Sequence, residues 1–144
     1  MNPSSGAIFV DTSGWADPIL QNTPYFAQMR AFSQQLLASG RSVITTNYVL
    51  AELVALLTTR SHLSRDQVLL FLDGIMQMAQ LQIVHVDPAQ DADAWAMLHQ
   101  NRDKDWSLVD AASFVVMRQM GINEAFTSDH HFAQAGFIRL PHVP

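Results

Sequence analysis

The sequence predicts an α/β domain built on a mostly parallel sheet of four to five strands flanked by helices. Three observations carry that prediction. Short apolar runs alternate with longer stretches of helical spacing along the chain. Turn and cap residues stand at nearly every boundary between them. The length, 144 residues without an internal repeat, low-complexity tract or linker, suits a single domain over residues 1–144 with a sizeable core.

Residues 7–10 (Ala-Ile-Phe-Val) are the first expected strand, apolar throughout as a buried parallel strand is. Asp11 ends it, followed by Thr12, Ser13 and Gly14, all residues that turn a chain or cap a helix. Two prolines make residues 15–24 a loop holding an irregular turn. Phe26, Met29, Phe32, Leu36 and Leu37 then recur at helical spacing within residues 25–38, and Gly40 stands where a C-terminal cap belongs. Residues 42–45 read as a second strand, with Thr46 or Asn47 capping a helix over 48–59. That helix is apolar almost all round, which predicts full burial, and Glu52 is its only ionisable residue before Arg60.

Ser64 and Gln67 have capping-box spacing and open a helix to residue 79, with Val68, Leu72, Ile75, Met76 and Ala79 on one stripe. Residues 81–86 read as the third strand. Asp87 and Pro88 then start a helix that shows Ala92, Trp95, Ala96 and His99 on one face. Residues 103–114 place an acidic loop ahead of an apolar helix over 107–120, closed by Gly121. Ser107 and Asp110 have the spacing of an N-terminal capping pair. Residues 124–127 resemble a fourth strand leading to Asp129. A helical turn over 130–134 stops at Gly136, and residues 137–140 make an edge strand before Pro141.

Composition excludes several classes. Hydrophobic residues make up 49% of the chain, which leaves apolar area for a subunit interface. No run approaches the ~18 apolar residues a membrane span needs. The opening Met-Asn-Pro-Ser-Ser-Gly has no basic segment of the secretory kind, so a cytoplasmic protein is expected. Cys is absent, which excludes disulfides and thiolate zinc sites. The net charge of −5 argues against a broad electrostatic grip on nucleic acid, though not against a local site where a bound cation reverses the sign.

The chemistry is expected from four carboxylates. In a parallel sheet ligands gather outside the carboxyl ends of the strands. Asp11 ends the first strand, Asp129 lies just past the fourth, Asp110 opens a helix, and Glu52 is a little over one turn into the helix after the second strand. Two like charges about 4 Å apart repel by roughly 4 kcal/mol at an effective dielectric near 20. Such a cluster needs protons, bases or a metal, and Arg102 and Lys104 are the only basic residues between Arg65 and Arg118. Oxygen ligands without Cys select a hard cation, Mg²⁺ or Mn²⁺, able to activate water and to stabilise an in-line displacement at phosphorus.

The fragments Asp11-Thr-Ser, Glu52 in Thr-Asn-Tyr-Val-Leu-Ala-Glu-Leu, Asp105-Trp-Ser-Leu-Val-Asp110 and Phe126-Thr-Ser-Asp129 resemble those of the PIN-domain ribonucleases, of the kind found as VapC toxins of toxin–antitoxin pairs. Each fragment alone is weak; their order and spacing run from Ile8 to Phe137. The resemblance implies a three-layer PIN-like fold and a metal-dependent endoribonuclease directed at single-stranded RNA. It assigns the metal to Asp11, Glu52 and Asp110, with Asp129 in the fourth acidic position. It further implies that the Ser13 hydroxyl orients Asp11 or a metal-held water, that the chain pairs as a homodimer, and that a small antitoxin silences it.

Other residues carry competing readings. Asp110 serves as a helix cap and as a ligand without conflict, because the helix dipole favours the anion in both roles. Asp105 is a solvated loop acid or an outer-shell group. Arg102 and Lys104 are candidate phosphate contacts, or partners of Asp103 and Asp105. His130 and His131 read as surface residues, since adjacent histidines lack the i, i+4 spacing of a helical zinc pair. The alternatives to a toxin nuclease are a catalytically silent binding module on the same scaffold, an RNA-processing nuclease outside any toxin system, and a DNA-directed or structure-specific nuclease.

Overall fold

The computed structural model describes residues 6–144. Residues 1–5, which include most of the opening segment read above for a leader, lie outside them. The chain builds β1 (Ile8–Val10), α1 (Thr12–Ala16), α2 (Phe26–Ser39), β2 (Val43–Thr46), α3 (Asn47–Arg60), α4 (Arg65–Met76), β3 (Leu81–Val84), α5 (Pro88–Gln100), α6 (Leu108–Met120), β4 (Glu124–Phe126), α7 (His131–Gln134) and β5 (Ile138–Leu140). The five strands form one parallel sheet in the order β3-β2-β1-β4-β5. Consecutive crossovers run outward in one direction from β1 to β3 and in the other from β4 to β5, so the order reverses between β1 and β4. That is where an open α/β sheet leaves a crevice at its carboxyl edge.

β1 is central and wholly buried, and its alternation sorts the layers. Val10 registers with Phe126 of β4, and Phe32 of α2 stacks on Phe126 with ring centroids 4.9 Å apart. Phe9 faces the other way, toward Phe132 of α7 at 6.3 Å, and Phe132 meets Phe114 of α6 edge-on at 5.0 Å. Helices therefore cover both faces, as the predicted three-layer arrangement requires. Among the described residues no helix is long and apolar enough to cross a membrane.

Four expectations are corrected. The loop over 15–24 begins inside a helix: Asp11 sits at an N-cap position with φ −86° and ψ 173°, so Thr12, Ser13 and Gly14 start α1. The helix expected to be buried all round, α3, buries only Val49, Leu50, Leu53 and Leu57, and exposes Ala51, Glu52 and Ala55. Apolar composition overstated its burial because alanines on a free face cost little. α4 stops at Met76, where Met76 and Ala79 are exposed and Val68, Leu72 and Ile75 carry the contact. α5 turns Ala94 and Met97 inward rather than Ala92, Trp95, Ala96 and His99, since its partner is α6 and the stripe is set by that neighbour. The predicted caps hold: Gly40 and Gly121 both adopt φ 67°, and Ser64, Asp87 and Ser107 each make a capping box.

Candidate active site

Asp11 leaves β1 at the sheet's reversal point, with its amide donating to the Phe126 carbonyl of β4 at 3.2 Å. Its carboxylate is buried. The Thr127 hydroxyl donates to Oδ2 at 3.2 Å, while Oδ1 is buried without any hydrogen-bond partner. A native protein seldom leaves such an oxygen orphaned. Burial pushes the Asp11 carboxyl well above its usual range, and the nearby charges of Asp110, Asp129 and Glu52 push it further, with the Thr12 amide offsetting only part. Asp11 thus senses three other acids, each carried by a different element.

Each of the other three is held by one oxygen. Thr12 Oγ1 donates to Glu52 Oε1 at 2.6 Å, tying α1 to α3. Asp110 Oδ2 accepts from the Ser107 amide at 3.0 Å, closing the capping box at the start of α6. Burial raises the Asp110 carboxyl too, with Ser107 and His131 working against it and Asp129 adding to it. Asp129 Oδ1 accepts from the His131 amide at 2.9 Å. Among the described residues, the second oxygen of each of these carboxylates has no hydrogen bond from the protein. No Lys or Arg pairs with any of the four there.

This donor set fits a hard divalent cation. Carboxylates on four elements, each with one oxygen hydrogen-bonded and one free, are the donor type such an ion takes. The buried Oδ1 of Asp11 is the atom that most needs a positive partner. The acids are spread rather than crowded: among the described residues, the ligand set lying wholly within 4.8 Å is Asp129, His130 and His131. That set is the less suitable hard-ion site, because imidazole nitrogens favour softer metals and His131 already faces Asp110.

Residues 8–138 match the family profile described as the PIN domain. The chain belongs to the PIN-domain family. Over 134 residues it is 34% identical to the 23S rRNA-specific endonuclease VapC20 of Mycobacterium tuberculosis, covering 92% of this chain and 97% of that one. The crystal structure of Mycobacterium tuberculosis VapC20, described as a Sarcin-Ricin loop cleaving toxin, aligns with a TM-score of 0.77 at 32% identity, over 91% of this chain and 96% of that one. FitAcB from Neisseria gonorrhoeae shares the fold, with a TM-score of 0.63 at 18% identity over 92% and 95% of the two chains.

Within this PIN domain Ser13 and His131 differ from expectation, while Asp105 and Lys104 match one of the two readings given for each. Ser13 does not touch Asp11: its Oγ lies 3.0 Å from Thr127 Oγ1 and accepts from the Ser128 amide at 2.9 Å, so it acts on Asp11 through Thr127. Asp105 is exposed. Lys104 pairs with Asp103 at 3.3 Å, and the exposed Arg102 donates to the His99 carbonyl at 3.3 Å. His131 is not a surface residue: its side chain is 18% exposed, with Nδ1 3.0 Å from Asp110 Oδ2 and 3.3 Å from Asp129 Oδ1. Thr12, Thr127 and His131 were missed. Thr12 and Thr127 stand beside predicted acids, where a hydroxyl is a signal in hindsight only. His131 was set aside on a helical spacing rule, although a tight turn also brings residues i and i+2 together.

Proposed function

We propose that this chain is a divalent-metal-dependent endoribonuclease of the VapC kind, cleaving single-stranded RNA and silenced by a small antitoxin. The observation that carries this reading is the orphaned, buried Oδ1 of Asp11, flanked by carboxylates that no Lys or Arg among the described residues neutralises. Asp11, Glu52, Asp110 and Asp129 would hold Mg²⁺ or Mn²⁺. Bound there, the cation supplies a water activated toward phosphorus and offsets the charge developing on the phosphate. The four carboxylates would hold the cation in place, and one of them that faces the attacking water would accept its proton. Thr127 and Thr12 fix two of the acids, so little reorganisation is needed when substrate arrives.

RNA is favoured over DNA, and ribosomal RNA over others, because the relative at 34% identity is named as a 23S rRNA-specific endonuclease. Arg102 and Lys104 border the segment leading to Asp110 and are the proposed phosphate contacts. The chain's net charge of −5 makes that grip local.

Purified chain incubated with 23S rRNA, a single-stranded RNA oligonucleotide, its duplex and the matching DNA should cut the single-stranded RNAs in Mg²⁺ or Mn²⁺ and nothing in EDTA. Cleavage that survives EDTA removes the metal from the reading, and equal cutting of DNA removes RNA selectivity. No cleavage in any metal, together with no growth arrest on induced expression, leaves the silent binding module. Arrest relieved by Asp110→Ala and by co-expression of a small neighbouring gene product supports the toxin reading.

A further inference from the structure

We propose that His131 is a positioning residue of the carboxylate site, donating one N–H between Asp110 and Asp129 so that their free oxygens face the cation. This rests on the metal-site reading above and assigns a role to a side chain outside the acidic quartet. Nδ1 lies 3.0 Å from Asp110 Oδ2 and 3.3 Å from Asp129 Oδ1. Both partners are carboxylate oxygens, so with both ionised Nδ1 is the donor.

The backbone makes the same joint. The His131 amide donates to Asp129 Oδ1 at 2.9 Å, so one residue gives that oxygen a hydrogen bond from its main chain and a close approach from its ring. The Asp129 amide in turn donates to Thr127 Oγ1 at 3.0 Å, the hydroxyl that bonds Asp11. A continuous chain of hydrogen bonds therefore runs Asp110, His131, Asp129, Thr127, Asp11, from α6 through α7 and the loop after β4 to the end of β1.

The ring has a fixed base. Phe132, the next residue, is fully buried between Phe9 and Phe114, which pins α7 against the core. The His131 side chain is only 18% exposed, and its neighbour His130, at 69%, is not held in this way. Two carboxylates on different elements repel unless something between them gives both a hydrogen. The His131 ring lies within ion-pair distance of the carboxylates of two of the four acids. Its role here resembles the outer partners that orient metal ligands, whose loss typically weakens metal binding 10–100-fold.

The test is calorimetric titration of Mn²⁺ into the metal-free full chain, with thermal melts of each variant in EDTA. His131→Asn places an amide N–H where Nδ1 stands; His131→Gln places one where Nε2 stands; His131→Ala removes both. Expected are Mn²⁺ affinities about 10–100-fold weaker for Ala and Gln, and within a few-fold of wild type for Asn. Should Ala fail to fold, the Asn and Gln pair decides alone. Wild-type affinity in Gln and Ala overturns the proposal, as does an Asn variant as weak as Gln, since the imidazole then ligates or merely packs. Failure of the parent reading looks different: wild type takes up no Mn²⁺, or Asp11→Asn takes it up equally well, and both readings fall together.

Discussion

Asp11→Asn should abolish RNA cleavage and, in EDTA, should melt at a higher temperature than the wild type. Both effects come from the same atom. In the metal-free protein the Asp11 carboxyl is buried, faces three other acids and has its ionisation pushed well above the usual carboxylate range. The unfolded chain has no such penalty. Between the ordinary carboxylate value and the raised one, the folded state binds more protons than the unfolded state, so stability falls as pH rises through that window. The contribution is fully present below the unfolded value and lost above the folded one. Asparagine stands in for the protonated acid at every pH. Its oxygen accepts from Thr127, and its uncharged amide takes the place of Oδ1, which removes the repulsion from the neighbouring carboxylates.

The variant should therefore gain at least about 3 °C in EDTA at neutral pH, on the order of 1 kcal/mol for a chain of this size. The gain should shrink as pH falls from the raised Asp11 value toward the ordinary carboxylate range and vanish below it. Mn²⁺ should raise the melting temperature of the wild type and leave the variant unmoved. Cleavage should fall by at least about 10²–10³-fold, the loss typical of removing one preorganised electrostatic group. Melts in EDTA and in Mn²⁺ across pH, with cleavage assayed on the same preparations, check all three. A variant less stable than the wild type in EDTA at neutral pH would mean that the buried charge is compensated by the protein itself.

The fold was legible because its signals are local. Each cap at Ser64, Asp87 and Ser107 is a three-residue spacing, and the helices they open lie where that spacing puts them. Asp11 and Asp110 were legible for a similar reason, since each breaks an apolar run at a point where the topology turns toward the carboxyl edge. Glu52 is legible by its place one turn into the helix after the second strand and not by burial, since its helix face is exposed. What marks it is Thr12, forty positions away in sequence, and no periodicity reports a hydroxyl on another helix. Thr127 and His131 were invisible for the same physical reason. Their importance lies in which oxygens they reach across the sheet's reversal point, and composition reads neither distance nor direction. α1 was hidden by its own residues, because Thr-Ser-Gly reads equally well as a turn or as the first turn of a helix.

Gly14→Ala should cost more than a methyl group added at Gly40, Gly74, Gly121 or Gly136. Gly14 is helical with ordinary backbone angles, so the demand on it is space rather than conformation. A Cβ there would collide with the Phe126 carbonyl oxygen and stand 2.9 Å from Val10 Cγ1. The carbonyl cannot swing aside like a side-chain tip, for it is the acceptor of the Asp11 amide at 3.2 Å, across the β1–β4 joint. α1 must lift or β4 must shift, and either motion carries Asp11, Thr12 and Thr127 with it. Overpacking of this kind costs about 1–3 kcal/mol, which for this size of chain lowers the melting temperature by roughly 2–4 °C per kcal/mol. Displacing Asp11 and its Thr127 donor by about 1 Å should reduce cleavage on the order of 10²-fold in molecules that still fold. Gly74→Ala is the matched control: it lies inside α4 with nothing within 4 Å of the added atom. There the substitution should stabilise by roughly 0.5–1 kcal/mol, through helix propensity alone. If Gly14→Ala melts and cleaves like Gly74→Ala, the close approach of α1 to β4 does not set the position of Asp11, and the site is held by its hydroxyl bonds alone.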